Sequence, residues 1–150
     1  CWRGGLWVSE TRKCRVQGLL VFAHHPVPGT TEPFLKGDDG FLPYQDLRPL
    51  LQRHKGTGVY FSGHAHFHAV VRQGSWHYVQ TSSPIREPGF RIVEVDRERI
   101  AIRTVAIREA SALYGAETLY ARLTQFYRPP APPPAASDLE FTIEVKAVEL

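Results

Sequence analysis

Two apolar runs dominate the hydrophobic pattern. Residues Gly18 to Ala23 carry no polar side chain, and Gly58 to Ser62 are polar only at their last position. Short unbroken runs of this kind, rich in branched and aromatic residues, predict strands covered on both faces. The spacing of Leu47, Leu50 and Leu51 predicts a helix from about Leu47 to His54 between them. Strand, helix and strand in that order predict a crossover unit with its two strands parallel and their carboxyl ends at one sheet edge. Downstream the period changes to two. Phe67 to Gln73, Trp76 to Thr81, Phe90 to Val95 and Ile100 to Ile107 alternate, separated by Gly74, by Pro84 to Gly89 and by the charged turn Asp96 to Arg99. That pattern predicts an antiparallel meander over residues 67–107.

Beyond Arg108 the period lengthens again. Leu113, Ala116, Leu119, Tyr120 and Leu123 fall on one side of a helix predicted over Ala110 to Tyr127. Prolines at 129, 130 and 132–134 then predict a stiff linker over residues 129–136, and alternation from Leu139 to Val148 predicts an edge strand or tail within 137–150. Of the 150 residues, 43% are hydrophobic and 22% charged, which excludes a wholly disordered chain. No apolar run is long enough to span a membrane. The net charge of +3 includes no basic patch: the six arginines between Arg86 and Arg108 alternate with Glu87, Glu94, Asp96 and Glu98. Nucleic-acid binding therefore gains no support. Cys1 and Cys14 lack the spacing of a zinc knuckle and are read as free thiols.

The chemistry lies at the ends of the two buried strands. The first runs into His24-His25-Pro26, and the second into Gly63-His64-Ala65-His66. Ligand sites in open α/β sheets lie outside the carboxyl ends of the strands, so these histidines are placed to converge. Pro26 and Pro28 hold an irregular loop after the first pair. In extended chain His64 and His66 would point to one side, about 6–7 Å apart at Cα, a separation that suits neighbouring metal ions. His24, His64 and His66 are the candidate metal ligands; His25 is read as a packing residue first and a candidate substrate contact second. His54 is read as a partner of a helix C-terminus, and His68 and His77 as ordinary strand residues.

The segments VFAHHPVPG and VYFSGHAHFH resemble the last two metal-binding blocks of the calcineurin-like metallophosphoesterases, closest in style to the bacterial cyclic-nucleotide phosphodiesterases. The resemblance covers roughly residues 18–107. It implies the C-terminal part of a four-layer α/β/β/α sandwich, with parallel strands at 18–23 and 58–62. Residues 1–108 would belong to that domain, and 109–128 would form an accessory helix. It also implies two divalent metal ions (Mn, Fe or Zn) and a phosphate mono- or diester substrate, such as a cyclic nucleotide. His24 and His64 resemble the ligands of one ion, and His66 resembles a ligand of the other.

The family pattern also contains Asp-x-His, Gly-Asp-x-x-Asp and Gly-Asn-His blocks. This chain has no asparagine and no Asp-x-His, and Asp38 and Asp39 follow the His24 block instead of preceding it. With Cys1 first and no methionine, the sequence is expected to be a C-terminal portion, inactive in isolation. The alternative reading is a non-catalytic metal-binding or protein-interaction module that reuses the fold.

Overall fold

A computed structural model describes residues 2–3, 6–7, 18–31, 47–123 and 133–145. Its elements, in chain order, are β1 (Trp2–Arg3), β2 (Leu6–Trp7), β3 (Gly18–Phe22), α1 (Arg48–Leu51), β4 (Thr57–Ser62), β5 (Ala69–Gln73) and β6 (Trp76–Gln80). They continue as β7 (Gly89–Val95), β8 (Arg99–Ala106), α2 (Ala110–Leu123), α3 (Ala136–Leu139) and β9 (Glu140–Glu144). The fold is α/β, with parallel and antiparallel strands in two principal sheets. The first sheet has the order β3-β4-β6-β5 and the second β7-β8-β9, while β1 and β2 form a small antiparallel pair.

The two apolar runs do pair in parallel, Leu20 opposite Val59 and Phe22 opposite Phe61. Every residue of β4 is buried, as a central strand with both faces covered requires. Its alternate side chains enter different cores. Tyr60 packs with Val21, Val27, Leu51, Trp76 and Tyr78 on the α1 side. Val59 and Phe61 pack with Val79, Ile100, Ile102 and Ile143, which places the second sheet face to face with the first. Burial of each large side chain in this inter-sheet core contributes about 1.5–3 kcal/mol. One glycine is required by this packing: a Cβ at Gly58 would lie 2.4 Å from the Trp76 ring.

The predicted meander is divided between the sheets. Strands β5 and β6 form an antiparallel hairpin in the first sheet, and β6 also pairs in parallel with β4, with Tyr60 opposite Tyr78. The next hairpin, β7 and β8, belongs to the second sheet, where β9 completes the edge with Ile143 opposite Ile100. Local alternation defines each hairpin, but the sheet it joins depends on the path of residues 81–88. Arg91 fastens this junction, donating from Nε to Thr81 Oγ1 at 3.2 Å and from Nη2 to the Gln80 carbonyl at 3.1 Å. Burial lowers its pKa to about 10, against the opposing influence of Asp138.

The helix near residue 50 is a single turn, Arg48–Leu51, shorter than the eight residues predicted. Its Leu51 carbonyl accepts a 3.0 Å hydrogen bond from the Trp76 indole, which fixes the turn to the sheet. Helix α2 begins at Ala110 as predicted, and its Leu113, Tyr114 and Leu119 are exposed. The described residues therefore stack as α1, first sheet and second sheet. Gly37 to Asp39, Asp46, both cysteines and the proline run from 129 to 132 lie outside the described residues.

Candidate metal centre

The first sheet brings its histidines together through backbone contacts. Beyond the last residue of β3, the Ala23 amide continues the ladder to the Phe61 carbonyl at 3.0 Å. The Gly63 amide then donates to the His24 carbonyl at 2.9 Å, so the two loops are joined one residue before His64. The loop after His25 closes in a turn, with the Thr30 amide donating to the Val27 carbonyl at 3.2 Å. Buried Pro26 and Val27 anchor its base, leaving His24 and His25 exposed above it.

After Ser62 the chain turns sharply. His64 has φ of 66° and His66 a φ of 59°, both left-handed. The Ala65 amide donates back to the Gly63 carbonyl at 2.8 Å, closing a γ-turn about His64, a rare and strained conformation. The sequence-based picture of an extended Gly-His-x-His is corrected here. The chain cannot stay extended because it must cross the end of β6 to reach β5. Non-glycine residues held at positive φ persist where surrounding contacts over-determine them, and they concentrate at functional sites.

Across the two loops, His24, His25 and His64 place ring nitrogens within 4.8 Å of one another. His64 Nδ1 lies 3.3 Å from His24 Nε2. This is a hydrogen-bond contact between the rings, and it is also compatible with a shared ion, since two nitrogens bound to one tetrahedral zinc at about 2.0–2.1 Å are separated by about 3.3–3.4 Å. The His25 ring centroid lies 4.3 Å from that of His64 and 4.7 Å from that of His24. Burial, then the neighbouring His24, lowers the His25 pKa and favours the neutral imidazole that a metal requires. The donor set therefore fits a first-row divalent ion. Among the described residues no carboxylate belongs to this group.

His66 is not a member of that trio. Its pKa is lowered by burial, then by the charge of Arg86 and by His24. Its carbonyl oxygen accepts from Ser82 Oγ at 3.0 Å and from Arg86 Nη1 at 2.9 Å. His68, read from sequence as a strand residue, lies buried in the loop instead, its Nδ1 3.2 Å from Arg91 Nη2 and its Nε2 3.4 Å from Glu87. His54 contacts the Thr57 carbonyl at 3.2 Å and the edge of Trp76. Sequence reasoning missed Gln80, Ser82 and Arg86, which touch the loop from below. A glutamine ending the apolar strand Trp76 to Val79 was the available signal.

No family model matches this chain. No curated protein matches it either. Among solved structures it is similar to a conserved uncharacterised protein from Streptococcus pneumoniae TIGR4, described as a predicted phosphoesterase. The two share 19% identity with a TM-score of 0.33, over 45% of this chain and 42% of that one. This chain thus spans less than half the length of that protein. Among the described residues no helix is long and apolar enough to cross a membrane.

Proposed function

We propose that these residues form the imidazole part of a divalent-metal centre serving hydrolysis of a phosphate mono- or diester. The convergence of His24, His25 and His64 within 4.8 Å at the carboxyl ends of parallel strands carries this reading. His24 and His64 hold one ion. His25 is assigned to the same ion as a third nitrogen, in preference to a contact with substrate phosphate. His66 is assigned to the second ion of the pair, following the resemblance of the Gly63 to His66 block. Divalent ions at such a centre supply Lewis-acid stabilisation of charge developing on phosphoryl oxygens. The histidines hold and orient, and none is the nucleophile. A cyclic nucleotide is one substrate of the proposed class.

A second reading has its own support. The trio contains no carboxylate among the described residues, and the sequence has no asparagine. A non-catalytic metal-binding module needs neither. Calorimetric titration with zinc or manganese tests the common part: affinity should fall at least about tenfold in His24→Ala and in His64→Ala. Equal affinity in wild type and His64→Ala would remove the ligand assignment. Assay with bis-p-nitrophenyl phosphate and manganese then tests whether these residues suffice for catalysis. This chain should bind metal without turnover, and turnover lost in His64→Ala would assign catalysis to these residues alone.

A further inference from the structure

Under the histidine turn lies a side chain whose hydrogen bonds reach both metal-site loops. Gln80 ends β6 and is fully buried, at 0% exposure. Its Nε2 donates to the Gly63 carbonyl, immediately before His64. Its Oε1 accepts from Ser62 Oγ at 3.0 Å and from Thr31 Oγ1 at 3.3 Å. Thr31 follows the turn after His24 and His25, and is itself at 0% exposure. One amide therefore links the end of β4 to the loop after β3.

The sheet does not need this amide for its own ladder. Thr81 already donates its N–H to the Ser62 carbonyl at 2.8 Å, completing the pairing of β4 with β6. Gln80 follows Trp76 and Tyr78 on the face of β6 that enters the α1-side core, where an apolar side chain would match its neighbours. A polar group is costly there unless its partners are satisfied, and here both ends of the amide are engaged. Ser82 and Arg86, just beyond it, hold the His66 carbonyl. The carbonyl before His64 and that of His66 itself, on either side of the turn that holds these two left-handed residues, are thus fixed from beneath.

Resting on the metal-centre reading above, we infer that Gln80, assisted by Ser82 and Arg86, is the positioning residue that sets the separation of the imidazoles. It acts through the backbone and touches no ion. Partners behind metal ligands commonly govern affinity by about 10–100-fold. Two readouts on Gln80→Met test the role separately from the metal. In metal-free protein, amide hydrogen exchange over residues 63–67 should accelerate at least about tenfold while β8 keeps its protection. In a cobalt(II) titration, affinity should fall by about 10–100-fold, with altered visible bands.

Wild-type exchange and an unchanged cobalt spectrum in Gln80→Met would overturn the assignment. Cobalt binding equal in wild type and His64→Ala would instead sink the metal reading, while faster loop exchange in Gln80→Met would still establish the clamp. If Gln80→Met does not fold, the double variant Ser82→Ala with Arg86→Met removes the donors to His66 from the same clamp. Faster exchange and a changed cobalt spectrum there support the role, and wild-type behaviour in both refutes it.

Discussion

Replacing His64 by glycine should stabilise the metal-free protein relative to replacing it by alanine, although both changes delete the same imidazole. His64 sits at φ 66°. An L-residue in the left-handed region costs roughly 1–2 kcal/mol that glycine avoids. Glycine gives back about 0.5–1 kcal/mol through the greater freedom of its unfolded chain. The difference leaves His64→Gly more stable than His64→Ala by about 0.5–1 kcal/mol. Ala65 supplies the control, because it is absent from the positive-φ residues. There the order reverses, and Ala65→Gly should lose about 0.5–1 kcal/mol. Urea unfolding with chelator present, read by circular dichroism, measures both at equal m-values. Equal midpoints for His64→Gly and His64→Ala, or a gain in Ala65→Gly, would refute the claim that the turn stores strain. On the metal-centre reading proposed above, His64→Gly should be defective in metal binding all the same, a trade of stability for function.

Gly58→Ala should destabilise by about 1–3 kcal/mol in urea unfolding, because its Cβ would meet the Trp76 ring at 2.4 Å. Tryptophan emission should shift in the folded state as the indole leaves Leu51; an unchanged midpoint would show that the ring moves aside freely. Arg91→Ala should cost about 2–3 kcal/mol, since it removes charged donors to Gln80 and Thr81 between the sheets. The pKa of His77 is depressed by burial, then by Arg72, against a backbone hydrogen bond at Gly58. A depressed imidazole leaves stability whole above about pH 6.5 and loses it as pH falls below that value, because the unfolded state takes up the proton first. His77→Gln should flatten the unfolding midpoint between pH 7.5 and pH 5, and an unaltered acid slope would assign that loss to other groups.

The parallel pair β3 and β4 was legible because both strands are unbroken apolar runs, but the expected two-sided burial holds for β4 alone: among the described residues β3 is an edge of the first sheet, with Val21 buried and Phe22 64% exposed. Their shared carboxyl edge followed from the connection, and with it the approach of His24 to His64. The placement of β6 was not legible. Its alternation matches a hairpin with β5 equally well in either sheet, and nothing local to Trp76 or Tyr78 encodes parallel neighbours at Gly58 and Tyr60. That missing neighbour also hid the turn. With β6 absent from the picture, Gly63 to His66 had no obstacle to cross and was drawn extended, which overstated the likeness of His64 and His66. The approach of His25 to His24 and His64 was not legible, because His25 matches no ligand position of the family pattern and its place depends on how the chain turns after Ala23. Gln80 passed as one more sheet residue, since its importance lies in partners at positions 31, 62 and 63.

The route from β4 to β5 has a consequence for how the molecule assembles. The chain leaves the top of β4, passes over a gap two strand spacings wide, descends β5 and only then returns as β6 to fill the gap. Two strand spacings are about 9.5 Å. Gly63 to His68 arch over this gap and rest on β6 and the residues just beyond it, through Gln80 to the Gly63 carbonyl and Ser82 to the His66 carbonyl. The arrangement of the three imidazoles therefore depends on β6 being seated between β4 and β5. On the metal-centre reading proposed above, an ion bound with native affinity would report that this strand is in place.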